Sequence, residues 1–175
     1  EYNKLIRQEA RKESYLDLII RTMNEHDHRT LKCLEKEPDV LDNGNDLIIH
    51  CTDIHTGINI DNWFNTYNQD VLKKRLEKYY VKILNIQKRH KSQKAFLIIG
   101  EIISGLIHEN LRCENNQNLI EQFLTISDYL TEFISGLSKH FQEIHVYVTP
   151  GNHSRISPKK EQNLKGENFD HLLIP

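Results

Sequence analysis

The sequence predicts an α/β domain built on a parallel sheet, and three observations carry that expectation. Three short apolar runs, LIIHCT (47–52), AFLII (95–99) and IHVYVT (144–149), read as buried strands. Between them lie two long stretches with helical periodicity, 66–90 and 116–140. Each crossover is long enough for a parallel return, and such returns are right-handed in nearly all cases.

Along the chain, residues 1–25 read as a helix, with Leu5, Ile6, Tyr15, Leu16, Ile19 and Ile20 at helical spacing among charges. Residues 26–46 are polar, with Pro38 and the cluster DNGND, and read as a loop. The helix over 66–90 gathers Val71, Leu72, Leu76, Tyr79, Tyr80, Ile83 and Leu84 on one face. The helix over 116–140 carries Leu119, Ile120, Phe123, Leu124, Ile126, Leu130, Phe133, Ile134 and Leu137. Strands apolar throughout suit a sheet covered on both faces. The reading divides the chain at 46/47, with an N-terminal helix and loop before the sheet domain of 47–175.

Composition narrows the function classes only a little. A chain of 175 residues can bury a sizeable core. Its 23 Lys+Arg against 25 Asp+Glu give no general push toward nucleic acid or membrane. No apolar run approaches the ~20 residues of a membrane span. Three scattered cysteines, Cys33, Cys51 and Cys113, form no CxxC pair, which points to reduced thiols and a cytoplasmic setting. The chain starts without Met and stops after FDHLLIP, so a fragment of a longer protein is expected.

In an open parallel sheet, ligands bind beyond the carboxyl ends of the strands. Three such ends are chemically rich here: DIHTG holds Asp53 and His55, GEIISG holds Glu101, and GNHSR holds Asn152, His153 and Arg155. Adjacent strands would bring carboxylates, imidazoles, an amide and a guanidinium to one edge. Oxygen and imidazole donors suit borderline divalent ions. Such an ion would explain why a buried strand ends on Glu101, a carboxylate without a basic neighbour in sequence.

DIHTG, GEIISG and GNHSR, in this order and each after a strand, resemble the first three motifs of the calcineurin-like metallophosphoesterases, whose patterns are DxH, GD and GNH. The Ile-Ser-Gly tail of the middle motif is similar to phage-encoded members. The resemblance covers about residues 46–157. It implies a sandwich of two sheets flanked by helices, of which this chain would hold a three-stranded βαβαβ portion. It also implies hydrolysis of phosphate esters by two divalent ions, manganese first, with iron, zinc or magnesium as alternatives.

Carried over by position, Asp53 and His55 would bind one ion, Glu101 would bridge, and Asn152 would bind the other. His153 would act at the leaving-group oxygen. Arg155 and His108 are further candidates for substrate contact, each with an ordinary surface role as the alternative. His26 and His28, spaced HxH in a polar loop, read as bystanders. Two departures stand out: Glu101 replaces the family's usual Asp, and no later GHxH segment is present, so the domain is expected to lack its C-terminal part.

The phage likeness favours phosphodiesters of nucleic acid or nucleotides as substrate, and a bacterial host's cytoplasm as location. The alternative is a decayed phosphoesterase-like scaffold that binds nucleic acid or a protein partner. Oligomeric state is left open.

Overall fold

The structure is a computed structural model. It describes residues 44–157, 159–162 and 168–172, together with Tyr2, Asn3, Ile6, Ala10, Asp17, Arg21, Asn24 and Glu25, which are helical. The rest of the helix expected over 1–25, and the loop over 26–46 up to residue 43 with His26 and His28, lie outside the described residues.

Three parallel strands form the sheet: β1 (Leu47–Thr52), β4 (Lys94–Gly100) and β5 (Glu143–Thr149), in the order β1-β4-β5. Leu47 pairs with Ala95 and Thr52 with Gly100, while Gly100 pairs in turn with Thr149. This register brings all three strand ends level. The loops that follow therefore emerge side by side.

Two long helices make the crossovers, α1 (Gln69–His90) and α3 (Leu119–Ser138), with a short α2 (Glu109–Glu114) between β4 and α3. Asn68 caps α1 by accepting the Val71 N–H. Asn118 and Glu121 form a capping box at α3: the Asn118 side chain accepts the Glu121 N–H, and the Glu121 carboxylate accepts the Asn118 N–H. Lys91 ends α1 in the left-handed region (φ 54°).

The inward faces of both helices, with Leu76, Tyr80, Ile126 and Phe133, meet Ile49, Leu97 and Ile99 in one core. Phe133 is fully buried between Tyr79 and Tyr80, at ring-centroid distances of 6.1 and 6.0 Å. The expectation of a sheet covered on both faces needs correcting. Among the described residues the opposite face is open, with Ile48 at 70% and Tyr147 at 53% exposure. Both long helices lie on the same side, in contact with each other and sharing one core. On the open face Phe96 stacks on His145 at 4.9 Å between centroids.

A second correction concerns the start of the first helix. Residues 66–67 belong to a two-stranded hairpin of β2 (Ile60–Asp61) and β3 (Thr66–Tyr67), and α1 begins at Gln69. Among the described residues no helix is long and apolar enough to cross a membrane.

Candidate metal centre

The loop after β1 and the loop after β4 run on as a pair. The N–H groups of Asp53 and Ile54 donate to the carbonyls of Gly100 and Glu101, the Thr56 N–H donates to Ile102, and Thr56 and Ile103 form a parallel bridge. Pairing is kept while the chain turns because Asp53, His55 and Glu101 adopt φ of 57°, 49° and 50°. Positive φ is uncommon outside glycine, though Asp and His tolerate it better than most. Among the described residues the other non-glycine case is the helix cap Lys91. Such strain persists where surrounding structure enforces it, and it concentrates at functional sites.

The loop after β5 closes the group. Glu101 Oε2 accepts the Asn152 N–H at 3.1 Å, and Oε1 accepts the His153 N–H at 2.7 Å. The approach is close enough that a Cβ on Gly151 would collide with the Glu101 carboxylate. Gly105 (φ 68°) is equally confined, since a Cβ there would strike the His153 carbonyl.

A row of donors results. His55 Nε2 lies 3.9 Å from Asp53 Oδ1, and His153 Nε2 lies 3.9 Å from Glu101 Oε1. The His55 and His153 rings are 4.7 Å apart between centroids, and the His108 ring is also 4.7 Å from that of His153. The Thr52 hydroxyl donates to Asp53 Oδ2 at 2.9 Å. His153 Nδ1 is 2.9 Å from the Ser104 carbonyl, so Nδ1 carries the proton and the neutral ring has its lone pair on Nε2. Burial, and then the charge of His153, hold His55 below the usual histidine range, against the pull of Glu101 and Asp53. A neutral imidazole is the metal-binding form.

Asp53, His55, Glu101, His153 and His108 are thus brought together. Asn152 is exposed beside them and its N–H is committed to Glu101. Arg155 turns its Nε to the Asn152 carbonyl at 3.0 Å, a contact within its own loop.

The donor chemistry fits a divalent ion. His55 Nδ1 is buried without a well-formed hydrogen bond, with the Ile103 backbone nearby, and the buried hydroxyls of Thr56 and Ser104 also lack partners. Orphaned polar atoms of this kind mark places where water or an ion belongs. A carboxylate has about four lone-pair positions, so two remain on Glu101 beyond its amide contacts. Among the described residues, however, no three His, Cys, Asp or Glu side chains form a closed cluster for one ion. The donors stand as two pairs, Asp53 with His55 and Glu101 with His153.

Sequence reasoning missed Asp170 and Asn168. Fully buried, Asp170 accepts the Gly151 N–H and the Ser154 hydroxyl, each at 2.6 Å. Asn168 donates to the Gly151 carbonyl at 2.7 Å and accepts the Asp170 N–H at 2.8 Å. These two residues brace the loop that carries Asn152 and His153. A signal was available in ENFDHLL, where polar side chains flank an apolar residue near a chemically rich loop.

The model of the calcineurin-like phosphoesterases matches residues 47–174. No curated protein and no solved structure matches the chain. The family match spans all three strand-end loops and the brace behind them, and it bears out the resemblance read from DIHTG, GEIISG and GNHSR. Its chemistry is metal-dependent hydrolysis of phosphate esters, and on this match the chain belongs to the calcineurin-like phosphoesterase family.

Proposed function

We propose that this domain hydrolyses phosphodiesters, those of nucleic acid or nucleotides, at a two-metal site. Asp53 and His55 would hold one ion, Glu101 would bridge, and Asn152 would complete the second, with manganese the leading candidate. The observation that carries the reading is that Asp53, His55 and Glu101 hold left-handed backbone at three adjoining loop positions, with His153 against them. When bound, the ions would supply an activated water and neutralise charge on the phosphoryl group.

The chain's own residues do the rest. Glu101 holds the Asn152–His153 backbone in place through its two amide contacts. His153 is oriented by Ser104, which keeps Nδ1 occupied and leaves Nε2 as the atom that carries a proton to the leaving oxygen when the ring is charged. Glu101 Oε1 stands 3.9 Å from that nitrogen. The His108 ring lies 4.7 Å from the His153 ring.

The second reading is a scaffold that binds nucleic acid or a protein without turnover. It is favoured by one observation: both Glu101 oxygens already have backbone partners. Elemental analysis after dialysis against Mn²⁺, with hydrolysis of bis-p-nitrophenyl phosphate and p-nitrophenyl phosphate measured side by side, separates the two. Bound metal and Mn²⁺-dependent diester hydrolysis that Asp53→Ala abolishes support the enzyme. Metal-free protein without turnover would leave the scaffold.

A further inference from the structure

The hairpin between the first site loop and α1 carries Trp63 and Phe64 at its tip, where they are 92% and 91% exposed. Two adjacent large aromatics at such exposure bury almost none of their apolar surface in the fold, and contiguous exposed apolar groups mark contact sites. Asn62 and Asn65 flank the pair, so the apolar surface is small and rimmed by amides.

The tip is also held in shape. The Asn62 side chain accepts the N–H groups of Phe64 and Asn65, each at 3.0 Å, and the Asn62 N–H donates to the Asn65 carbonyl at 3.0 Å. The Thr66 hydroxyl donates to Asp61 at 2.9 Å across the strands. An ordered tip presents its rings with little further entropy to lose on binding.

The root of the hairpin is tied to the candidate centre. The Tyr67 hydroxyl donates to the carbonyl of Ile54, the residue between Asp53 and His55, at 2.5 Å. Arg75 of α1 covers the Tyr67 ring at 5.0 Å. At ~3.3 Å per extended residue the tip stands on the order of 10 Å from Tyr67. Through Tyr67 the tip is therefore tethered to the loop that carries Asp53 and His55.

We propose that Trp63 and Phe64 form a stacking subsite for an unpaired nucleobase next to the scissile phosphodiester. This rests on the phosphodiesterase reading above. Flat exposed rings recognise a π face, which nucleotides have and sugar or glycerol phosphates lack. The base must be unpaired because its face is hidden inside a duplex.

Trp63 is the chain's single tryptophan, so its fluorescence reports on this tip alone. The full chain is titrated in EDTA with a thymidylate hexamer, with an abasic deoxyribose-phosphate hexamer and with inorganic phosphate. The thymidylate hexamer is expected to quench Trp63, and the other two are not. By anisotropy of the labelled thymidylate hexamer, Trp63→Ala and Phe64→Ala should each weaken binding on the order of 10-fold, the size of a lost base–aromatic stack. Both side chains are exposed, so unchanged far-ultraviolet circular dichroism is expected.

Equal binding of the base-bearing and abasic hexamers, or unchanged affinity in both variants, overturns the proposal. A blue shift of Trp63 on phosphatidylglycerol vesicles with no quenching by the thymidylate hexamer also overturns it, in favour of a lipid surface. Hydrolysis of the hexamer in Mn²⁺ is measured separately. Stacking without hydrolysis would uphold the subsite and refute the phosphodiesterase reading.

Discussion

The carboxylate of Glu101 accepts the backbone N–H of His153 at 2.7 Å and stands 3.9 Å from Nε2 of the same residue's ring. One side chain thus fixes where the last motif loop sits and sets the charge that its imidazole faces. Any change at position 101 acts on both.

Glu101→Gln keeps the shape but turns one oxygen into an NH₂ that faces a backbone donor. A buried donor left without its acceptor costs roughly 1–3 kcal/mol, and these donors are exposed and part-buried, so thermal unfolding should show a loss of about 1 kcal/mol. Elemental analysis should show the ions lost, and Mn²⁺-dependent hydrolysis should vanish. Glu101→Asp should retain metal and turnover, because Asp tolerates left-handed backbone (φ 50° here) and restores the carboxylate usual in this family. Full metal content and activity in Glu101→Gln would show that the carboxylate holds no ion.

Asp170 sits behind the site with no solvent exposure and two short contacts, to Gly151 N–H and Ser154 hydroxyl. Asp170→Asn should destabilise the domain by about 1–3 kcal/mol. Amide exchange of Gly151 and His153 should quicken in that variant, while amides of β4 keep their protection. Unchanged exchange at Gly151 would mean that the loop holds without its brace.

Cys51 is buried on β1, and burial pushes its thiol up to about 11 from 9.0. The folded state therefore keeps the proton across a window in which the unfolded chain gives it up. Stability from this group is fully present below pH 9.0 and is lost as pH rises toward about 11. Two units correspond to roughly 2–3 kcal/mol. Urea unfolding between those pH values should show a smaller loss for Cys51→Ala than for the parent chain. Native alkylation followed by peptide mapping should find Cys113, which is exposed, labelled ahead of Cys51.

Phe133→Ala removes a fully buried ring from between Tyr79 and Tyr80. A loss of about 3–5 kcal/mol is expected in denaturant unfolding. Val81→Ala, on the exposed side of α1 at 42% exposure, should change stability by less than about 0.5 kcal/mol.

By itself, the sequence determined the strands, the long helices and the three motif loops of this protein. Those features are local: apolar periodicity, glycine at a turn and a capping Asn act within a few residues, so LIIHCT, FLII and VYVT announce themselves. The family membership was legible for the same reason, since DIHTG, GEIISG and GNHSR are short and each follows a strand. Tertiary structure alone decided the rest. The hairpin carrying Trp63 and Phe64 has strands of two residues, too short for any periodicity to register, so the helix seemed to begin at 66 rather than at Gln69. That both long helices pack on one side of the sheet was settled by how the two crossovers fold back, which no strand encodes. The partners of Glu101 and Asp170 lie 51 or 52 and 16 or 19 residues away. A carboxylate's need for hydrogen-bond donors is visible in the sequence, but which backbone meets that need is settled only when the loops fold against one another.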